Sequence, residues 1–161
     1  IYSIRYNLSN GYGYWGDEGV VTIKMDKTSP STALFHDGPS YEDKEGKLFV
    51  SPETQFSLEA KDNLSGVAET NYSYRDGEEE VYEEPFSLDG ADGDYAINYH
   101  STDVADNVEP ENSQEVYLDA TLPVSTDDSD GEWHSSENVT VAITSIDGEG
   151  SGVQKIVYQK V

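Results

Sequence analysis

Residues 95–123 read YAINYHSTDVADNVEPENSQEVYLDATLP, and residues 2–30, YSIRYNLSNGYGYWGDEGVVTIKMDKTSP, lie on them without a gap after a shift of 93 positions. Tyr2, Ile4, Tyr6, Asp26, Thr28 and Pro30 then fall on Tyr95, Ile97, Tyr99, Asp119, Thr121 and Pro123. A second echo follows: Asp62 with Ser65, Gly66 and Val67 returns as Asp147 with Ser151, Gly152 and Val153, and Tyr72 and Tyr158 each stand five residues after their Val. A period of this length exceeds a solenoid repeat and suits one small β-sandwich domain. The chain therefore divides into the C-terminal strands of one unit (1–26), a complete unit (27–119) and the N-terminal strands of a further unit (120–161). Such an array spaces or joins things, and few arrays are enzymes.

Within the complete unit no helical period emerges, whereas short alternating runs bounded by Gly, Asp, Asn and Pro predict strands. Thr54–Ala60 turns Phe56, Leu58 and Ala60 inward, and Val67–Tyr74 puts Tyr72 and Tyr74 on one face. Tyr95–Tyr99 aligns Tyr95, Ile97 and Tyr99, and Gln114–Leu118 aligns Val116 and Leu118. Glu80–Glu83 is short and charged, as suits an edge strand. With Pro85–Leu88 and a strand near Ala33–Phe35, about seven strands result, an immunoglobulin-like β-sandwich. In the flanks, Tyr2–Leu8, Val20–Met25, Val139–Ile143 and Val153–Tyr158 are expected to be strands. Each flank would expose half a core. Either the chain continues at both ends or the halves meet across subunits, by strand complementation in a filament or surface layer.

The balance of 33 acidic against 9 basic residues gives a net charge of −24, which repels nucleic acids and anionic lipid surfaces. Solubility, adaptation to high salt and binding of divalent cations each account for such acidity. Disorder is set aside, because 12 Tyr and 2 Trp in alternating runs supply a core. There is no Cys, hence neither disulfides nor thiolate metal sites, and no run reaches the roughly 20 apolar residues of a membrane span. Asn7, Asn63, Asn71 and Asn138 each begin an Asn-x-Ser/Thr sequon, half of the eight Asn. Two readings stand for them: glycans, which would place the protein outside the cell, or Asn and Ser together in turns.

Asp62-Asn63-Leu64-Ser65-Gly66-Val67, Tyr74-Arg75-Asp76-Gly77, Tyr82-Glu83-Glu84-Pro85-Phe86, Ser101–Asn107 and Asp119–Pro123, in this order, resemble bacterial and archaeal immunoglobulin-like repeats. The resemblance is to the outer-membrane-protein-L type of β-domain, which occurs in tandem in surface proteins. The resemblance covers the whole unit and both flanks. It implies a stalk, an adhesin arm, a surface-layer piece or an enzyme appendage, since the fold alone does not decide function. Two departures matter. Leu8–Tyr14 replaces Ser101–Asn107 in the first flank without either Asp, and Asp106 stands where these domains commonly have Gly.

The foremost chemical candidate is a Ca²⁺ site at the junctions between units. In an immunoglobulin-like sandwich the loops carrying Asp62, and Asp103 with Asp106, lie at the end where the chain enters, and the entering linker carries Asp26. Hard oxygen ligands from three loops suit Ca²⁺, which takes 6–8 oxygens. Asp119 and Asp147, with Glu149, are the counterparts at the next junction. The competing reading gives these Asp side chains the ordinary work of accepting backbone hydrogen bonds in turns. Asp127–Glu132 resembles an EF-hand loop only superficially, and Glu78–Glu84 is a solvated edge. Trp133, with Trp15, is the candidate surface aromatic for a sugar-binding or adhesin module, while most tyrosines are expected in the core. His36, His100 and His134 are scattered, His100 faces solvent, and no nucleophile–His arrangement supports an enzyme. The expectation is a structural, extracellular or cell-surface repeat that associates with neighbouring repeats or with itself.

Overall fold

Aromatic and β-branched residues recurring every second position build strands, and the chain is all-β. The computed structural model describes residues 1–74, 78–136, 138–148 and 150–159, and no helix occurs among them. Residues 75–77, within the Tyr74–Gly77 motif, and Glu149 lie outside the described residues.

The first hairpin joins β1 (Tyr2–Tyr6) to β2 (Gly19–Ile23). A sandwich follows. One sheet pairs β3 (Ser31–Asp37) with β6 (Gln55–Lys61). The other has six strands in the order β4 (Ser40–Glu42), β5 (Leu48–Val50), β10 (Asn112–Leu118), β9 (Gly93–Asp103), β7 (Val67–Tyr74) and β8 (Glu80–Val81). It is mixed, because β5 runs parallel to β10 while its other neighbours are antiparallel. A last hairpin joins β11 (Val124–Asp127) to β12 (Ile143–Ile146).

Between the two sheets lies one core of Val50, Phe56, Leu88, Ile97, Val116 and Leu118, padded by Leu34, Leu48, Phe86, Tyr95 and Tyr99. Burial of each such side chain stabilises by about 1.5–3 kcal/mol. Phe86 extends the core sideways: its ring stacks on Tyr72 at 4.0 Å and on Phe56 at 5.7 Å between centroids. Ser101, Thr32 and Glu109 form a polar seam between the sheets.

Four details differ from the sequence reading. Pro85–Leu88 is not a strand but a single bridge, in which Phe86 N and O both bond to Phe56; Pro85 has no N–H to extend the ladder. The β4–β5 hairpin was not anticipated. In the last flank the strand begins at Ile143 rather than Val139, and Val153–Tyr158 is not a strand. In the sequence echo that stretch matches β7, which pairs with β9, and among the described residues no strand pairs with it. Finally, Tyr2, Tyr6, Tyr12, Tyr14 and Tyr158 are exposed, because they belong to the flanks rather than to the sandwich.

Candidate metal centre

Asp26 lies in the linker between β2 and β3, Asp62 just after β6, and Asp103 at the end of β9. Each is fixed by a turn that its own side chain organises. Asp26 Oδ1 accepts from Thr28 N at 3.0 Å and Thr28 Oγ1 at 2.7 Å, and its Oδ2 accepts from Ser65 N at 2.8 Å. Asp62 Oδ2 accepts from Leu64 N at 2.9 Å and Gly66 N at 2.8 Å. Gly66 sits at φ +88°, in the left-handed region that glycine enters without a Cβ clash. Asp103 Oδ1 accepts from the backbone N–H groups of Ala105 and Asn107, both at 2.8 Å, and its Oδ2 from Asn107 Nδ2 at 2.7 Å.

The two loops are tied together, since Val104 N donates to Gly66 O at 2.9 Å. A register shift in β7 between Val67 and Glu69 lets Val67 pair with Asp103, which brings the Asp62 loop over the end of β9. As a result one carboxylate oxygen each from Asp26, Asp62 and Asp103 lies within 4.8 Å of the others. Oxygens on opposite sides of a Ca²⁺ ion, at 2.3–2.6 Å from it, stand roughly 4.6–5.2 Å apart, so this spacing fits the ion's first sphere.

The turn bonds use up most lone pairs but not all. Asp62 Oδ1 and Ser65 Oγ are buried and meet no hydrogen-bond partner. Among the described residues no Lys, Arg or His pairs with Asp26, Asp62 or Asp103. The Thr28 backbone and hydroxyl, aided by Ser65, hold the Asp26 carboxyl well below the usual range against its desolvation. Burial opposes ionisation of Asp103, which is fully buried, yet Asn107 and the neighbouring amides keep its carboxyl below the usual range as well. The Ser65 hydroxyl adds to the pull on both without completing a hydrogen bond to either. Oxygens of three carboxylates therefore lie close together, and Asp62 Oδ1 and the Ser65 hydroxyl are buried without a hydrogen-bond partner. All are hard oxygen donors, the ligand set of Ca²⁺ or Mg²⁺ rather than of Zn²⁺.

Asp106 is not part of this group. It is exposed, with φ +63°, and its N–H closes a turn onto Asp103 O at 3.2 Å. That backbone angle explains why a glycine suits the position. Asp119 and Asp147 accept from neighbouring backbone amides, Asp119 Oδ2 from Ser151 N and Asp147 Oδ2 from Gly152 N. Asn7, Asn63 and Asn138 are exposed, whereas Asn71 is half-buried in the middle of β7, between β8 and β9. Trp133 is fully exposed, and Trp15 largely so. His100 is partly covered and meets Glu79 at 3.1 Å instead of facing open solvent.

One important residue escaped the sequence reading. Glu109 is only 9% exposed and joins the sheets. Its Oε1 accepts from Thr32 N at 2.9 Å and Asn112 Nδ2 at 3.0 Å, and its Oε2 from Thr32 Oγ1 at 2.6 Å and Ser101 N at 3.2 Å. A buried carboxylate cannot be told from a solvated one by composition, and the sequence does not mark Glu109 out. No protein-family model, curated protein or solved structure matches the chain.

Proposed function

We propose that this chain is a structural segment of an extracellular or cell-surface protein built from tandem immunoglobulin-like domains, with Ca²⁺ at the joint formed by Asp26, Asp62 and Asp103. The observation that carries the reading is the meeting of those three carboxylates from three separate loops, one of them the linker from the preceding hairpin. An ion held there binds the linker to the sandwich and removes the freedom of the hinge. The strand connectivity supports the immunoglobulin-like assignment: β6 meets the Phe86 segment in one sheet, while β5, β10, β9, β7 and β8 follow in order in the other.

The outer hairpins support the tandem reading. Tyr2 and Ile4 face Ile23 and Val21 across β1–β2, as Tyr95 and Ile97 face Val116 and Gln114 in the sandwich. Their apolar side is exposed and calls for a complementary hairpin, from a neighbouring repeat or by strand complementation from a second copy. Exposed sequons at Asn7, Asn63 and Asn138 accord with an extracellular setting. Differential scanning calorimetry of the chain tests the central claim. About 1 mM CaCl₂ in 0.15 M NaCl raises Tm by mass action on the folded state. Asp62→Asn or Asp103→Asn removes the gain. An unchanged Tm in the parent chain refutes the calcium joint.

A second reading rests on Trp133, whose ring is fully exposed. As an adhesin or carbohydrate-binding module, the chain would bind glycans through that ring. A glycan array answers it: a signal abolished by Trp133→Ala supports binding, and a blank array rejects it.

A further inference from the structure

We infer that Asp119 and Asp147 form a second hard-cation site, built on the plan of the first. Asp119 follows β10 as Asp26 follows β2, and Asp147 follows β12 as Asp62 follows β6. The hydrogen bonds repeat as well. Asp26 Oδ2 takes Ser65 N at 2.8 Å, and Asp119 Oδ2 takes Ser151 N at 2.6 Å. Asp62 Oδ2 takes Gly66 N at 2.8 Å, and Asp147 Oδ2 takes Gly152 N, again at 2.8 Å. Gly152 sits at φ +85°, as Gly66 sits at +88°.

Ser151 and Gly152 are consecutive, so both carboxylates are tied to one short piece of backbone and each has an oxygen left over. Those oxygens, Asp119 Oδ1 and Asp147 Oδ1, are buried and meet no donor. Asp147 as a whole is only 8% exposed. Anionic oxygens buried without a donor are costly, and two brought to one peptide repel each other as well. No Lys, Arg or His among the described residues pairs with either of them. A cation relieves both costs at once. The loop is also shaped around Asp119: a Cβ on Gly150 would lie 2.6 Å from both of its oxygens. Asp119, Ser151 and Gly152 line an open pocket with Tyr41, Phe49 and Gln154, which gives an ion access from solvent.

Oxygen ligands alone select Ca²⁺ over Zn²⁺, and the number of charged ligands tunes affinity. At the first joint Asp103 supplies a third carboxylate.

The inference rests on the reading of the acidic joints as cation sites, and a CaCl₂ titration of the ¹⁵N-labelled chain separates the two claims. Ser65 and Gly66 amides report the first site, Ser151 and Gly152 amides the second. The expected result is saturable movement of Ser151 and Gly152, as well as of Ser65 and Gly66, below about 10 mM Ca²⁺. Asp147→Asn, which keeps an oxygen for the Gly152 amide, should abolish the second response and spare the first. Gly150→Ala, which pushes the Asp119 carboxylate aside, should weaken the second response alone. Silence of Ser151 and Gly152 up to about 10 mM Ca²⁺, while Ser65 and Gly66 titrate, overturns this inference and leaves the first site standing. Movement of Ser151 and Gly152 alone supports it and overturns the first. Silence at all four amides overturns both, and a second response that persists in Asp147→Asn overturns this inference as diffuse charge screening.

Discussion

Asp103 and Asp106 stand three residues apart in one turn and do different work. Asp103 is fully buried, organises the turn and aims at Asp26 and Asp62, whereas Asp106 is exposed and contributes a backbone angle. Asp62→Asn or Asp103→Asn should therefore lower Ca²⁺ affinity by about tenfold or more, read by isothermal titration calorimetry. Asp106→Gly should leave that affinity unchanged. Its relief of left-handed strain, about 1 kcal/mol, is offset by the entropy of glycine, so stability in urea should stay within about 1 kcal/mol of the parent. An affinity loss in Asp106→Gly would place its carboxylate in the first sphere after all. Glu109 is a purely structural counterpart. Glu109→Ala strands the buried amides of Thr32 and Ser101 and should cost about 2–4 kcal/mol in urea denaturation, with Ca²⁺ affinity retained in the folded protein.

Elements were legible where alternation ran for five or more residues. β6, β7, β9 and β10 were anticipated with their inward faces, because Phe56, Leu58, Tyr72, Ile97, Val116 and Leu118 recur every second position and are buried. β4 and β5 were missed because each is three residues long, too short for a period to register, and β5 owes its place to the parallel pairing with β10. The acidic triad was legible in part. The Asp62 and Asp103 loops could be placed by the fold, but Asp106 could not be separated from Asp103 without knowing which carboxyl its turn buries. Glu109 was illegible for the same reason. The edge strand β8 was read correctly as short and acidic, and its charge has a testable purpose. Replacing Glu78, Glu80 and Glu83 by Thr should make the chain associate with rising concentration in light scattering, because an uncharged edge accepts another strand. A variant that stays monodisperse would show that the edge is protected by something other than charge.

At the scale of the molecule, 33 acidic against 9 basic residues make stability depend on pH and on counter-ions. The carboxyls of Asp26, Asp92, Asp103, Asp127 and Asp130 are all held below the ordinary range, chiefly by hydrogen bonds from neighbouring backbone and side chains. Each lowered carboxyl binds protons less readily folded than unfolded. Its stabilisation is complete above about pH 4 and is lost as pH falls through the folded value. Tm measured without Ca²⁺ should therefore be flat near neutrality and fall below about pH 4. A Tm that rose on acidification would mean that relief of the excess negative charge outweighs these bonds.

The parallel pairing of β5 with β10 has a mechanical consequence. Tyr117 and Leu118 lie beside Phe49 and Val50, and Asp119 N adds a bond to Val50 O at 2.9 Å. Lys47 closes over the same place, with Nζ 4.3 Å from the Tyr117 ring centroid and 5.6 Å from that of Phe49. A pull on β10 through Asp119, with β5 held by the rest of the sandwich, slides the two strands along their common axis. Their bonds are then strained in shear, all together, and cannot peel one after another. Tension leaving through Asp119 therefore loads this small patch in shear, close beside the second acidic joint.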